Sequence, residues 1–313
     1  DPHFIEGNQH APFSNLRRIE WHADQPAYGP NCDMVWSIYE CAETKGIRIL
    51  LDGHDGDTTV SYGDRYLHEL ARNGRWIALT SELRGLARHD GSSVWESLRN
   101  FAWHYRGKSF VNKHRPLRGA RRLWRGLTRR ANGDRKAFTN TARWDRMLNA
   151  GLADEINMAE RYRAWRQTIS QTAATEREAH FRMLSHPMQA FALELHDGFA
   201  AAFQVEKRYP FWDKRLVEFC LSLPSQQKLN QGSTRVVMRR AMEGILPPAI
   251  QWRNDKTNFV PSLAHGIRTF ERDALDEVIV RNPGPIQEYV NVNELRHARD
   301  RFIDGGAENG SAD

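Results

Sequence analysis

Cysteine is scarce in this 313-residue chain: Cys32, Cys41 and Cys220 lie far apart, odd in number and without CxxC spacing. That pattern excludes a disulfide framework, and the three read as buried thiols of a protein in a reducing cytoplasm. Long apolar runs are also missing. No stretch of about 18 uncharged apolar residues is present, so no membrane-spanning helix is expected, and the first residues show no signal-peptide pattern. No internal repeat occurs. Strand-forming segments are few: a buried parallel strand is expected at 47–51, and at best another short one near Arg17–Trp21. A doubly wound sheet needs more strands than these, so the chain is either mainly helical or starts partway through a domain.

Apolar material is not lacking. Hydrophobic residues make up 40% of the chain, with ten Trp and fourteen Phe, enough for a sizeable core. The length exceeds the roughly 100–200 residues of one core, which allows two lobes or one large domain. The net charge of +6 is unevenly spread. Between Arg106 and Arg146 fourteen Lys/Arg stand against only Asp134 and Asp145, which leaves the rest of the chain net acidic. This block, interleaved with Trp124, Phe138 and Trp144, reads either as a solvated helical insertion or as a surface for nucleic acid, an acidic peptide or a protein partner.

Helical periodicity dominates elsewhere. It predicts helices at 31–45, 65–73, 76–88, 94–104, 154–169, 176–203, 213–221, 234–243 and 263–280. The tail at 304–313 is rich in Gly, Ala, Asn and Ser and is expected to be disordered. The helix at 31–45, the strand after it and the turn Asp52-Gly53-His54-Asp55-Gly56-Asp57 form the order of an α/β unit. Ligands of open α/β sheets gather at such strand ends.

The turn has chemical content. Its glycines allow a sharp bend with N–H groups facing an anion, and Asp57 is a candidate for Mg²⁺ on phosphate oxygens. Read alone, it is also simply a turn. A calcium loop fits poorly, because the D-x-D-x-D-G spacing and the twelfth-position Glu are missing. His54 suits a general base, or is a surface-loop histidine. Glu206 is the candidate carboxylate to orient its ring; the alternative is that Glu206-Lys207-Arg208 is a charged helix end stopped by Pro210, with Asp213 capping the next helix. Lys256 sits in a polar loop after Pro247-Pro248, the kind of segment in which chemistry is often placed.

The run Glu206-Lys207-Arg208-Tyr209-Pro210-Phe211-Trp212-Asp213, then Lys228, Gly232-Ser233-Thr234-Arg235, Arg239-Arg240-Ala241-Met242, Leu246-Pro247-Pro248 and Arg253 to Lys256, resembles the synthetase domain of the asparagine synthetase family. The turn at 52–57 resembles that family's adenylate-binding turn, and within the family the likeness is greatest to lasso-peptide cyclases. The resemblance implies an α/β, mostly helical, Rossmann-like domain of the PP-loop type, partial over 1–303, with the basic insertion at about 106–146. It implies ATP and Mg²⁺, with Asp52 and Gly53 at the adenylate and Asp57 at the metal and pyrophosphate. His54 stands where relatives carry Glu or Tyr, Glu206 matches the glutamate paired with that Tyr, and Lys256 matches the lysine that neutralises pyrophosphate and the developing oxyanion.

The implied reaction is adenylation of a side-chain carboxylate followed by attack of an amine deprotonated by His54. The substrate would be a lasso precursor peptide, closed as a macrolactam, or aspartate. A leader-peptide-binding or protease partner would accompany the peptide reading, while nucleic acid is the rival partner through the basic block. The family's Ser-Gly-Gly-x-Asp-Ser motif and its glutaminase half are not in this sequence, which is expected to be the C-terminal part of a longer protein. Thr58 replaces the family's usual acid after Asp57, and Gly198 stands where an Arg is common.

Overall fold

The computed structural model describes residues 2–9, 11–27, 29, 32–102, 144–169, 173–253 and 259–303. The basic stretch, apart from its last residues, the Lys256 loop at 254–258 and the tail at 304–313 lie outside them.

The chain opens with α1 (Leu16–Ala23) and α2 (Cys32–Thr44), then β1 (Ile49–Leu51). After the turn come α3 (Gly56–Val60), α4 (Tyr66–Arg72), α5 (Trp76–Asp90) and α6 (Val94–Ala102). Beyond the basic stretch lie α7 (Trp144–Met147), α8 (Ala150–Glu155), α9 (Met158–Ile169), α10 (Glu176–Leu184) and α11 (Pro187–Ala201). Next are β2 (Glu206–Arg208), α12 (Lys214–Ser222), β3 (Leu229–Asn230), β4 (Ser233–Thr234) and α13 (Val236–Ala241). The remaining helices are α14 (Pro248–Gln251), α15 (Val260–Phe270), α16 (Arg272–Asp276) and α17 (Val292–Ile303). The described fold is thus mostly helical, with two small sheets.

Several sequence expectations shift, each for a local reason. The Arg17–Trp21 segment is part of helix α1, because Leu16, Ile19 and Ala23 recur at helical spacing and bury Ile19. The expected 176–203 helix is two helices, parted where Pro187 starts a new one behind the cap at His186. Asn157, with φ 51°, separates α8 from α9. The 263–280 helix begins earlier, breaks after Phe270 and ends in a π-turn at Glu277–Arg281. The helix expected from Thr234 starts at Val236 behind the cap at Arg235, because Ser233 and Thr234 form the second strand of a hairpin whose turn residues, Gln231 and Gly232, both have positive φ. Asp213 caps α12 as expected, accepting from the Arg215 amide at 2.9 Å.

One sheet positions the site. β2 is a strand, not a helix end, and pairs parallel with β1, placing Ile49 opposite Glu206, Leu50 opposite Lys207 and Leu51 opposite Arg208. Among the described residues helices cover one face. Leu50 packs there on the cluster of Ile19, Trp36, Tyr39, Leu195, Phe199, Phe203 and Val205, whereas Ile49 and Leu51 on the opposite face are 47% and 69% exposed. The strand expected to be buried is therefore half-buried, on one side only, among the described residues. A second cluster, Tyr66, Leu70, Ala71, Leu79, Leu83 and Leu229, ties α4 and α5 to the β3–β4 hairpin. Among the described residues no helix is long and apolar enough to cross a membrane.

Candidate active site

The turn at the end of β1 is stitched first by its own residues. The Asp52 carboxylate accepts the His54 amide at 2.9 Å, a two-residue Asx loop that bends the chain as soon as the strand ends. Asp55 adopts a left-handed conformation, φ 60°, which Asp tolerates better than most residues. Gly56 then starts α3 so close to Phe211 that an added Cβ would sit 3.2 Å from its ring.

Tertiary contacts bind this turn to the 206–213 segment. Because side chains alternate along β2, Lys207 points inward while Glu206 and Arg208 point outward. The Lys207 ammonium, fully buried, contacts Asp52 Oδ2 at 2.5 Å and lies between the Tyr39 and Tyr209 rings at 5.1 and 4.7 Å. Burial pushes Lys207 below the ordinary lysine range although Asp52 opposes it. Burial also pushes Asp52 up, but the Lys207 ammonium and the His54 amide outweigh it and hold the carboxyl below its usual value. Trp212 donates its indole N–H to Asp55 Oδ2 at 3.1 Å, and Thr59 donates to the Phe211 carbonyl at 2.8 Å.

His54 faces Asp55, its Nε2 lying 3.1 Å from Oδ2 in a contact that is short but not aligned as a linear hydrogen bond. Its ring also stacks obliquely on His196 at 4.9 Å and approaches Tyr209 edge-on at 6.3 Å. His196 is bonded to the Tyr39 hydroxyl at 3.2 Å, and burial, aided by the Lys207 charge, pushes its imidazole down to about 4. Neutral His196 lets His54 sit beside it without charge repulsion.

Of the residues singled out in the sequence, Asp52, Gly53, His54 and Asp57 share this one strand end. Glu206 does not join them: its carboxylate accepts from Arg208 Nε at 2.8 Å on the outer face of β2, and the acid against His54 is Asp55. Lys256 lies outside the described residues. Asp57 is clasped by Arg235 at Oδ1 and by the Tyr62 hydroxyl at Oδ2, with the guanidinium 4.8 Å above the Tyr62 ring. Lys207, His196, Tyr39 and Tyr62 were not singled out from sequence. For Lys207 the signal was present in the alternation of β2, but using it required knowing that 206–208 is a strand.

The arrangement suits a nucleotide-phosphate ligand in two respects. Among the described residues the space above Gly53 is open, with none of their atoms within 4 Å of an added Cβ, so a ligand can approach the backbone there. Asp57 is a partly exposed hard oxygen donor beside a guanidinium. A single carboxylate fits Mg²⁺, which keeps most of its shell as water and substrate phosphate. Among the described residues no group of three or more His, Cys, Asp or Glu is placed to hold a metal by itself.

The described residues thus form a mostly helical domain with an acidic glycine turn at a strand end, locked to a Glu-Lys-Arg-Tyr-Pro-Phe segment. The asparagine synthase family model matches residues 1–312, and the chain belongs to that family. Over 61 residues it is 36% identical to the glutamine-hydrolysing asparagine synthetase 3 of Bacillus subtilis (strain 168). That match covers 20% of this chain and only 10% of the relative. No solved structure matches.

Proposed function

We propose that this chain carries part of an ATP-dependent, AMP-forming carbon–nitrogen ligase site in a Rossmann-like, PP-loop-type domain. The observation that carries the reading is the strand-end turn 52–57, fixed to the family motif at 206–213 through Asp52–Lys207 and Asp55–Trp212. A carboxylate is a poor acyl donor because its charge repels nucleophiles and oxide leaves badly. When bound, Mg–ATP would supply the adenylyl group, a carboxylate oxygen displacing pyrophosphate from the α-phosphorus.

The protein's residues serve the two ends of that chemistry. Gly53 leaves room for the adenylate at the backbone, with Asp52 shaping the loop. Asp57 would hold Mg²⁺ on the pyrophosphate side, near the Arg235 guanidinium, and we give Lys256 a charge-neutralising part there by its resemblance to the family's lysine. His54 is the general base. Asp55, 3.1 Å from Nε2, orients the ring, which leaves Nδ1 to accept the amine proton. Glu206 matches the family's glutamate, and its part in the reaction requires leaving Arg208.

The substrate we favour is a precursor peptide whose N-terminal amine is joined to an Asp or Glu side chain as a macrolactam. Similarity to a glutamine-hydrolysing asparagine synthetase supports a second reading, with aspartate as acid and ammonia as amine. Pyrophosphate exchange in the full-length protein, stimulated by precursor peptide or by aspartate, separates the two. In the same assays His54→Ala should retain exchange while amide formation falls about 10²–10⁴-fold. Asp55→Asn should slow amide formation more than Glu206→Gln does. Equal loss of both half-reactions in His54→Ala would refute the base assignment.

A further inference from the structure

Beside α3, three polar side chains are almost wholly enclosed: Lys228, His180 and Glu176 are 0%, 1% and 2% exposed. They come from two elements, Lys228 from the segment before β3 and Glu176 and His180 from the start and middle of α10. Lys228 Nζ lies 2.8 Å from His180 Nδ1 and 4.0 Å from Glu176 Oε1. His180 Nε2 lies 3.0 Å from the carbonyls of both Thr58 and Thr59, the last turn of α3. Glu176 accepts the Ser61 hydroxyl at 2.7 Å and the Arg65 amide at 2.9 Å.

The geometry dictates where the protons are. Two carbonyls can only accept, so Nε2 carries hydrogen. Lysine is the stronger base of the pair and has a carboxylate nearby, so it keeps its ammonium and donates into Nδ1, which must then be a lone pair. The imidazole is therefore neutral, in the Nε2–H form. Its two carbonyl partners are orphan acceptors of a helix only five residues long, too short to hold itself. That helix carries Asp57. Just past it Ser61 takes a positive φ of 65°, which turns the chain so that Tyr62 returns onto Asp57.

We propose that His180, set in its tautomer by Lys228, is a positioning residue for the phosphate side of the site: it clamps the end of α3 and thereby fixes Asp57 against Arg235 and Tyr62. The inference rests on the reading of Asp57 as the phosphate-side carboxylate. Burial, with the Lys228 charge, pushes the imidazole down to about 4, so the clamp is unprotonated through the neutral range. The titratable groups acting on the cluster are Glu176 and Arg177 on α10, Asp64, Glu69 on α4 and the Cys220 thiol on α12, which burial keeps protonated. Removing the ammonium leaves Glu176 without its cation and relieves the repulsion on His180, so the imidazole gains a proton at higher pH.

The test combines histidine ¹⁵N NMR, amide exchange at Thr59 and Ser61, and pyrophosphate exchange on the full-length protein. In the wild type His180 should show Nε2–H alone from pH 8 to pH 5, with both amides protected. Lys228→Met should raise the imidazole midpoint by at least one pH unit, and amide protection and pyrophosphate exchange should then acquire an acid limb at that same midpoint. If Lys228→Met does not fold, His180→Gln, which keeps an N–H donor, should retain exchange within about threefold, whereas His180→Leu should lose at least tenfold without a change in KM for ATP. A proton on Nδ1, unmatched midpoints, or equal behaviour of the Gln and Leu variants would overturn the inference. Absence of pyrophosphate exchange in the wild type would count against the ligase reading, and the NMR and amide-exchange arms would still decide the clamp.

Discussion

Asp52 is the residue on which the turn depends most, because one carboxylate serves a local and a distant partner. Oδ1 closes the bend on His54 and Oδ2 neutralises Lys207. Asp52→Asn preserves the first contact and leaves a fully buried ammonium facing a neutral amide. Breaking a buried pair from one side typically costs about 3–5 kcal/mol, and since Asp52 is partly exposed the lower end is expected. Urea denaturation of the variant checks this, and Lys207→Met in the same background should recover most of the loss. Residue-level departures from the family pattern also gain a cause here. Gly198 cannot be an Arg in this chain, since a Cβ would stand 2.8 Å from the His22 carbonyl where α1 crosses α11.

Among the elements, the β3–β4 hairpin meets α5 backbone to backbone. A Cβ on Gly85 would lie 2.1 Å from the Gln231 carbonyl, and one on Gly232 would lie 2.2 Å from Gly85 carbon. The Gly232 amide donates to Glu82 Oε2 at 3.1 Å, so the contact is bonded as well as close. Arg235 follows this hairpin directly. Gly85→Ala should therefore destabilise by about 1–3 kcal/mol or more through overpacking and displace the Arg235–Asp57 clasp. Thermal denaturation reads the first effect. Weaker pyrophosphate binding, measured by calorimetry, reads the second, whereas Gly74→Ala, with open space but a positive φ, should affect stability alone.

Across the whole molecule, buried neutral histidines set the response to acid. His180 and His196 are both pushed from 6.5 down to about 4 by burial, with Lys228 and Lys207 adding to the effect. Between those values the unfolded chain takes up protons that the folded chain refuses. Stability is then complete above about pH 6.5 and falls toward pH 4, by up to roughly 1.4 kcal/mol per pH unit for each histidine. Asp52 and Asp55, held below the usual carboxyl range despite burial, extend the loss at lower pH, whereas Glu176, pushed up by burial, opposes it. Urea denaturation at pH 7.5, 6 and 5 should show a falling midpoint, and His180→Gln should flatten the slope. Equal stability at pH 7.5 and 5 would contradict the assignment.

Contacts between near neighbours were legible in the sequence alone. The helix of 32–44, the Asp213 cap and the bend at Asp52–Gly56 follow from periodicity, side-chain reach and backbone freedom within a few residues. What the chain folds against itself was not. Whether 206–208 is a helix end or a strand depends on pairing with β1, more than 150 positions earlier, and that pairing alone turns Lys207 inward and Glu206 out. The acid facing His54 and the enclosed Lys228–His180–Glu176 group likewise depend on segments distant in sequence. Local free energy selects bends and caps, but the burial that moves a pKa or orphans a carbonyl exists only once the layers have closed.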